Sequence, residues 1–272
     1  MNLDLFNLKN KVVVVTGGMG QLGRQFVRAL AECGARVAVF DIIVEEEAVA
    51  TRFGDLMDDG SVIVTYCDIT SRISIEEALD KVVDRWEVPY GLVNNAALDS
   101  PPDASANENG PFETFPESSW DKVMEVNSKG VFLLCQVIGG AMAKQGCGSI
   151  INVSSTYGMV SPNQTIYEYR RQGGEQFFKP VAYSASKSSL LNLTRYLATY
   201  WGQKGVRVNT LVLGGVYNSQ PEEFLKGYYA NVPMGRMADE TEYNGGVVFL
   251  LSQASSYMTG ATMIIDGGWT AW

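Results

Sequence analysis

Short runs of β-branched residues alternate along this chain with longer stretches of helical periodicity, and the alternation predicts the architecture. Residues 12–15 read as a strand that ends in a glycine cluster, and 22–33 follow with apolar positions at helical spacing. Further strands are predicted at 36–41, 61–67, 90–94, 149–154 and 206–213. Helices over about 46–57 and 74–86, a long one over about 118–144 and another over about 182–203 lie between them. Such alternation builds a parallel sheet with helices on both faces. Two stretches break the rhythm: 98–117, rich in Pro, Asn and acid, and 161–180. Loops of that length inside a compact domain are more often functional than accidental. Ligands of such sheets bind beyond the carboxyl ends of the strands, where both loops would sit.

Composition narrows the class. The 272 residues carry no linker and no internal repeat, so residues 1–272 are read as one α/β domain. Hydrophobic residues make up 46% and charged residues 19%, the balance of a compact enzyme rather than a disordered chain. A net charge of −9 without a basic stripe speaks against nucleic acid. Cys33, Cys67, Cys135 and Cys147 show no metal-ligand spacing and read as reduced thiols. The N-terminus has no continuous apolar segment of the signal-peptide kind, and no purely apolar run is long enough to span a bilayer. A cytoplasmic protein without a membrane partner is expected.

The glycine cluster is the first candidate for chemistry. Gly18, Gly20 and Gly23 satisfy G-x-G-x-x-G between a strand and a helix, the context in which that motif signals a dinucleotide. Glycine permits the tight turn and lets the backbone approach a pyrophosphate, whose charge then sits at the helix N-terminus. Gly17, Gln21 and Leu22 complete the turn. Asp41 ends the second strand, where a carboxylate can hydrogen-bond ribose hydroxyls and repel a 2′-phosphate. Ile42 and Ile43 follow it, with no Arg or Lys nearby, so NAD is expected over NADP. The bland alternative is a strand-to-helix turn with a surface Asp.

Tyr183 and Lys187 are the second candidate. Four residues apart on a predicted helix, they share a face. A phenol ionises near pH ~10, and a neighbouring ammonium favours the phenolate, which would make Tyr183 usable as a proton carrier. The chain has no histidine, so imidazole chemistry and His-ligated metal sites are excluded. Taken alone, the pair also fits an ordinary amphipathic face.

Together these features resemble the classical short-chain dehydrogenase/reductase family over essentially the whole chain. The resemblance rests on the glycine cluster, Cys67-Asp68-Ile69, Asn94-Asn95-Ala96-Ala97, Val126-Asn127, Ile151 to Ser155 and Tyr183-x-x-x-Lys187. Val208-Asn209, Pro233 to Arg236, Met258 to Gly260 and Asp266-Gly267-Gly268 continue it. It implies a Rossmann-type doubly wound sheet and a homotetramer. It also implies that Tyr183 exchanges the proton with the substrate oxygen, Ser155 hydrogen-bonds that oxygen and Lys187 holds the nicotinamide ribose. Asn127 would hold a water that links Lys187 to solvent. Asp68 and Ile69 would border the adenine, and Asn94, Ala96 and Ala97 would line the cofactor groove with Gly214, Val216 and Asn218.

The chain departs from the family pattern in places. Gly17, Gly20 and Gly23 also fit the spacing of sugar-nucleotide-modifying relatives, which leaves an epimerase or dehydratase as a rival; a β-oxoacyl reductase is another. Leu213-Gly214 replaces the usual Pro-Gly, and the position expected for the carboxamide-contacting Thr is Asn218. Ser155 and Tyr183 are about twice the usual family separation apart, and the extra residues, Tyr167 to Pro180, are aromatic and cationic. Guanidinium binds anions bidentately, so Arg170, Arg171 and Lys179 are candidates for an anionic carbohydrate. Tyr157, Asn163, Gln164 and Trp120 are further pocket candidates. The competing expectation pairs Arg170 and Arg171 with acids of the other loop (Asp99, Asp103, Glu108, Glu113, Glu117) or with another subunit.

Overall fold

The computed structural model describes residues 3–99 and 106–272, so Asp103 and the middle of the first long loop lie outside the described residues. Seven strands form one wholly parallel sheet in the order β3-β2-β1-β4-β5-β6-β7. They are β1 (Val12–Thr16), β2 (Arg36–Asp41), β3 (Val62–Tyr66), β4 (Gly91–Asn94), β5 (Gly148–Ser155), β6 (Val206–Leu213) and β7 (Thr262–Ile265). Side chains alternate across a strand, and the core divides accordingly. Val12 and Val14 join the cluster on one face with Phe40, Leu92 and Ile150, whereas Val13 and Val15 join the other with Val39, Val93 and Leu211. Burial on both faces explains why β1 reads as an unbroken β-branched run.

Helices cover both faces. α1 (Gln21–Glu32) and α2 (Glu46–Asp58) lie on one side, and α3 (Arg72–Arg85) on the other. α4 (Glu117–Gln145) is a continuous helix of 29 residues with two widened π turns, Glu125–Gly130 and Cys135–Gly139. By length and composition alone α4 could cross a membrane. It instead packs Val131, Leu134, Ile138 and Met142 into the core. After β5 come the short helices α5 (Thr156–Met159) and α6 (Glu168–Gln172), then α7 (Val181–Trp201).

The fold is completed by α8 (Glu222–Tyr229), α9 (Asn244–Leu251) and β7, which lie beyond the sequence reading, as do α5 and α6. The stretch 161–180 is not a bare loop either, since it contains a 3-10 turn at Gln164–Tyr167 and α6. Its Ile166 and Tyr167 form a satellite apolar cluster with Tyr228, Val232, Met237 and Trp269. That cluster fastens the insertion and α8 to the carboxyl end of the sheet.

Candidate active site

The strand order reverses between β1 and β4, which opens a crevice at their carboxyl ends. On one side of it the turn after β1 enters α1. Gly17 has φ +63°, and a Cβ there would lie 2.8 Å from Ala96 Cα. A Cβ on Gly23 would lie 2.1 Å from the Gly17 carbonyl, and one on Gly18 2.6 Å from Val39. Gly20 caps α1 without a side-chain hydrogen bond, so the first-turn N–H groups face the crevice uncapped by any side chain. On the other side Asn95 donates from its amide to the carbonyls of Thr16 and Gly17, tying the turn to β4.

Asp41 sits where expected, at the end of β2. Its carboxylate accepts from the N–H of Met19 at 2.9 Å and of Ile43 at 3.0 Å, and Ile42 beside it is exposed. Asp68 accepts from Thr70, while Ile69 is buried against Gly130 of α4.

A cavity of about 490 Å³ opens from this crevice. Ser155, Tyr157, Tyr183, Lys187, Gln21, Leu22, Ala97, Gly214 and Val216 all line it, as do Asp99 and Lys179. Ser155 ends β5, where its hydroxyl accepts from the Tyr157 N–H at 3.2 Å, and it lines the cavity with Tyr183. It is thus both a cap and a cavity group. Lys187 is 4% exposed, and its ammonium donates to the Val153 carbonyl at 2.9 Å.

The electrostatics differ from the sequence expectation. The Lys187 ammonium is 6.0 Å from the centre of the Tyr183 ring, and burial is the largest influence on the phenol. Burial pushes the Tyr183 phenol above its usual range; Asp99 adds to this and the Ser155 hydrogen bond opposes it. Burial lowers Lys187 to about 8, against the pull of Asp99. Two desolvated groups thus stand side by side, each biased toward its neutral form.

Several expected residues sit elsewhere. The Asn94 side chain is in the core, donating to Asn152 Oδ1 at 2.8 Å, and it is Asn95 and Ala97 that reach the cavity. Strand alternation turns successive residues to opposite sides. Asn218 is exposed, and Gln220 lines the cavity in its place while accepting from the Asn218 N–H. Asn127 lies in the first π turn of α4. Its amide donates to the Leu98 carbonyl and Ser186 Oγ, and its oxygen accepts from the Leu98 N–H. These bonds make it a brace between the first long loop, α4 and α7.

Arg170 and Arg171 do not line the cavity. Arg170 is bound by Glu175 and lies over Phe177; Arg171 is bound by Glu168 and donates to the carbonyls of Phe177 and Gln164. Among the described residues neither pairs with an acid of the other loop, and neither lines the cavity that holds Ser155, Tyr183 and Lys187. Asn163 likewise caps the 3-10 turn and donates to Asn231. Gln164 lies outside this cavity, in a neighbouring open groove with Phe112 and Phe178. Trp120 is partly exposed on α4, away from both. Phe224, Tyr228 and Met237 complete the cavity wall. The first two lie on α8, for which Pro221, Glu222 and Glu223 were a legible start signal.

Comparison with known proteins agrees with this geometry. The model of the short chain dehydrogenase family matches residues 11–224. D-threitol dehydrogenase of Mycolicibacterium smegmatis is 32% identical over 271 residues, covering 97% of this chain and 95% of the relative. 2-Dehydro-3-deoxy-D-gluconate 5-dehydrogenase of Dickeya dadantii is 32% identical, with 100% of each chain covered. Among solved structures, a gluconate 5-dehydrogenase from Burkholderia cenocepacia J2315, in complex with NADP and tartrate, matches with a TM-score of 0.86 at 26% identity. That match covers 100% of both chains.

Proposed function

We propose that this chain, which belongs to the short-chain dehydrogenase family, is an NAD-dependent oxidoreductase. It interconverts a secondary alcohol (or lactol) and a ketone (or lactone) on a polyhydroxylated carbohydrate. The observation that carries the reading is the meeting of Ser155, Tyr183 and Lys187 in one cavity that opens from the glycine-turn crevice. The full-length relatives named for threitol and for a gluconate derivative support a polyol or sugar acid as substrate.

The residues fit a dinucleotide. Gly17, Gly18 and Gly23 keep the turn so close-packed that a Cβ would fill it, and the uncapped start of α1 suits a pyrophosphate. Asp41, followed by two isoleucines, would take the ribose hydroxyls and disfavour a 2′-phosphate. When bound, the nicotinamide supplies the hydride acceptor or donor. The protein's own part is proton transfer and orientation. The Tyr183 phenolic oxygen exchanges the proton with the substrate oxygen, and Ser155 Oγ hydrogen-bonds the same atom. Lys187, buried beneath, supplies a positive charge that favours the phenolate when the proton leaves. Of the three cations expected from the sequence to take an anionic group, Lys179 is the one that lines the cavity, and it is paired there with Asp99, whereas Arg170 and Arg171 are engaged elsewhere.

Initial rates of nicotinamide reduction over neutral polyols, sugar acids and simple alcohols, each with NAD and with NADP, test this reading. Turnover of a polyhydroxylated alcohol with NAD, absent in Tyr183→Phe, is the expected result. Equal or better rates with NADP would overturn the cofactor half, and silence across the panel the rest.

A further inference from the structure

All three cations of the insertion are already matched by an acid. Arg170 pairs with Glu175 and Arg171 with Glu168, both within the insertion. Lys179 pairs with Asp99, which comes from the loop after β4, and only this pair faces the cavity. The Lys179 ammonium contacts both Asp99 oxygens at 2.5 Å and lies 5.0 Å from the centre of the Tyr183 ring. Its side chain is 13% exposed, whereas that of Asp99 is 58% exposed. The Lys179 backbone is itself clamped: Gln164 Oε1 accepts from its N–H at 2.9 Å and Gln164 Nε2 donates to its carbonyl. The ammonium is thus a fixed cavity group beside the proton carrier.

A substrate bearing a carboxylate or phosphate would have to displace Asp99 from Lys179 and would still meet a like charge at the cavity wall. A neutral polyol has no such conflict. The carboxylate only accepts and the ammonium only donates, so neighbouring hydroxyls can donate to Asp99 and accept from Lys179 without breaking the pair. The aromatic side chains of Tyr157, Tyr167, Phe224 and Tyr228 offer apolar surface to the carbon chain. Resting on the dehydrogenase reading above, we propose that Asp99 and Lys179 form an electroneutral clamp that recognises adjacent hydroxyls of a neutral polyol and selects against anionic sugars.

The test compares kcat/KM for D-threitol, xylitol, gluconate and cyclohexanol in the wild type, Asp99→Asn and Lys179→Met, with NADH binding confirming a folded cofactor site in each. The wild type is expected to prefer the polyols over gluconate. Asp99→Asn should lose about 10- to 100-fold on the polyols, the worth of a charge-assisted contact or two, and should gain on gluconate. Lys179→Met should lose on the polyols and gain nothing on gluconate. Cyclohexanol, with no neighbouring hydroxyl, is the reference: on the pH plateau of kcat/KM each substitution should change it far less than it changes the polyols. A wild type that prefers gluconate, or an Asp99→Asn enzyme whose polyol-to-gluconate ratio stays within about twofold of wild type, a change of under about 0.4 kcal/mol, overturns the clamp. A wild type that oxidises no alcohol at all strikes the dehydrogenase reading instead, and the clamp falls with it.

Discussion

Lys187 is buried at a cost to stability, and the cost has a pH signature. Burial lowers its ammonium from an ordinary 10.5 to about 8, with Asp99 acting in the opposite direction. At about 1.4 kcal/mol per pK unit, that displacement corresponds to about 3 kcal/mol. Between about pH 8 and 10.5 the unfolded chain holds a proton on Lys187 that the folded protein has released, so stability rises with pH across this window. Below pH 8 both states are protonated and the penalty is complete. Lys187→Met removes the titration and fills similar space. It also removes the bond to the Val153 carbonyl, a loss of about 1 kcal/mol that does not depend on pH. The informative quantity is therefore how the stability gap between Met and Lys proteins changes with pH. Urea unfolding of the cofactor-free proteins, followed by tryptophan fluorescence at pH 7 and pH 10, measures it. The gap should move toward the lysine protein by about 2–3 kcal/mol from pH 7 to pH 10. A gap constant to within about 0.5 kcal/mol would refute the claim that this ammonium is desolvated.

Three further substitutions bear on the site. Tyr183→Phe should lower kcat by about 10²- to 10⁴-fold while NADH binding, read by fluorescence, is retained. Asp41→Ala removes the acceptor for the Met19 and Ile43 N–H groups, so it should cost about 1–3 kcal/mol in urea unfolding and raise the KM for NAD far more than that for NADP. Arg171→Ala frees the insertion from Glu168 and two carbonyls and should lower kcat/KM by about tenfold, roughly one lost charge-assisted hydrogen bond. Arg170→Ala breaks a solvent-facing pair with Glu175 and should stay within about threefold of wild type.

The sheet was legible because its strands carry their burial in their composition: β6 was read to its final residue, and β2 to the carboxylate at its end. The sequence reading lost α8, although Phe224, Leu225, Tyr228 and Tyr229 have helical spacing behind Pro221. At Asn94-Asn95 the motif picked out the pair, and the structure divides it, Asn94 in the core and Asn95 at the cavity. Strand alternation decides it, since Asn94 is the last residue of β4 and faces Asn152, leaving Asn95 to hold the glycine turn. The charges of the insertion were visible, but their partners were not. Glu168 and Glu175 lie within five residues of the arginines they neutralise, a closeness that depends on the turn of α6. The direction of the Tyr183 shift was missed for a related reason. Adjacency to a lysine can be read from spacing, whereas the burial that sets the direction comes from the whole fold.

The proposed clamp would tie substrate choice to proton transfer, because the Asp99 carboxylate raises both Tyr183 and Lys187. Alcohol oxidation needs Tyr183 without its proton, so the acid limb of kcat/KM reports the coupled Tyr183–Lys187 pair rather than either group alone. Asp99→Asn removes a negative charge that favoured the protonated form of both, and the limb should move to lower pH. Asp99 is more than half exposed, so screening should keep the movement under about one pH unit. The profile is measured with cyclohexanol, which has no hydroxyl for the clamp to bind. A residue that acted only by binding hydroxyls would leave this limb where it is. A limb that stays in place, or moves toward higher pH, would show that the field of Asp99 does not reach the proton carrier, whatever the substitution does to polyol selectivity.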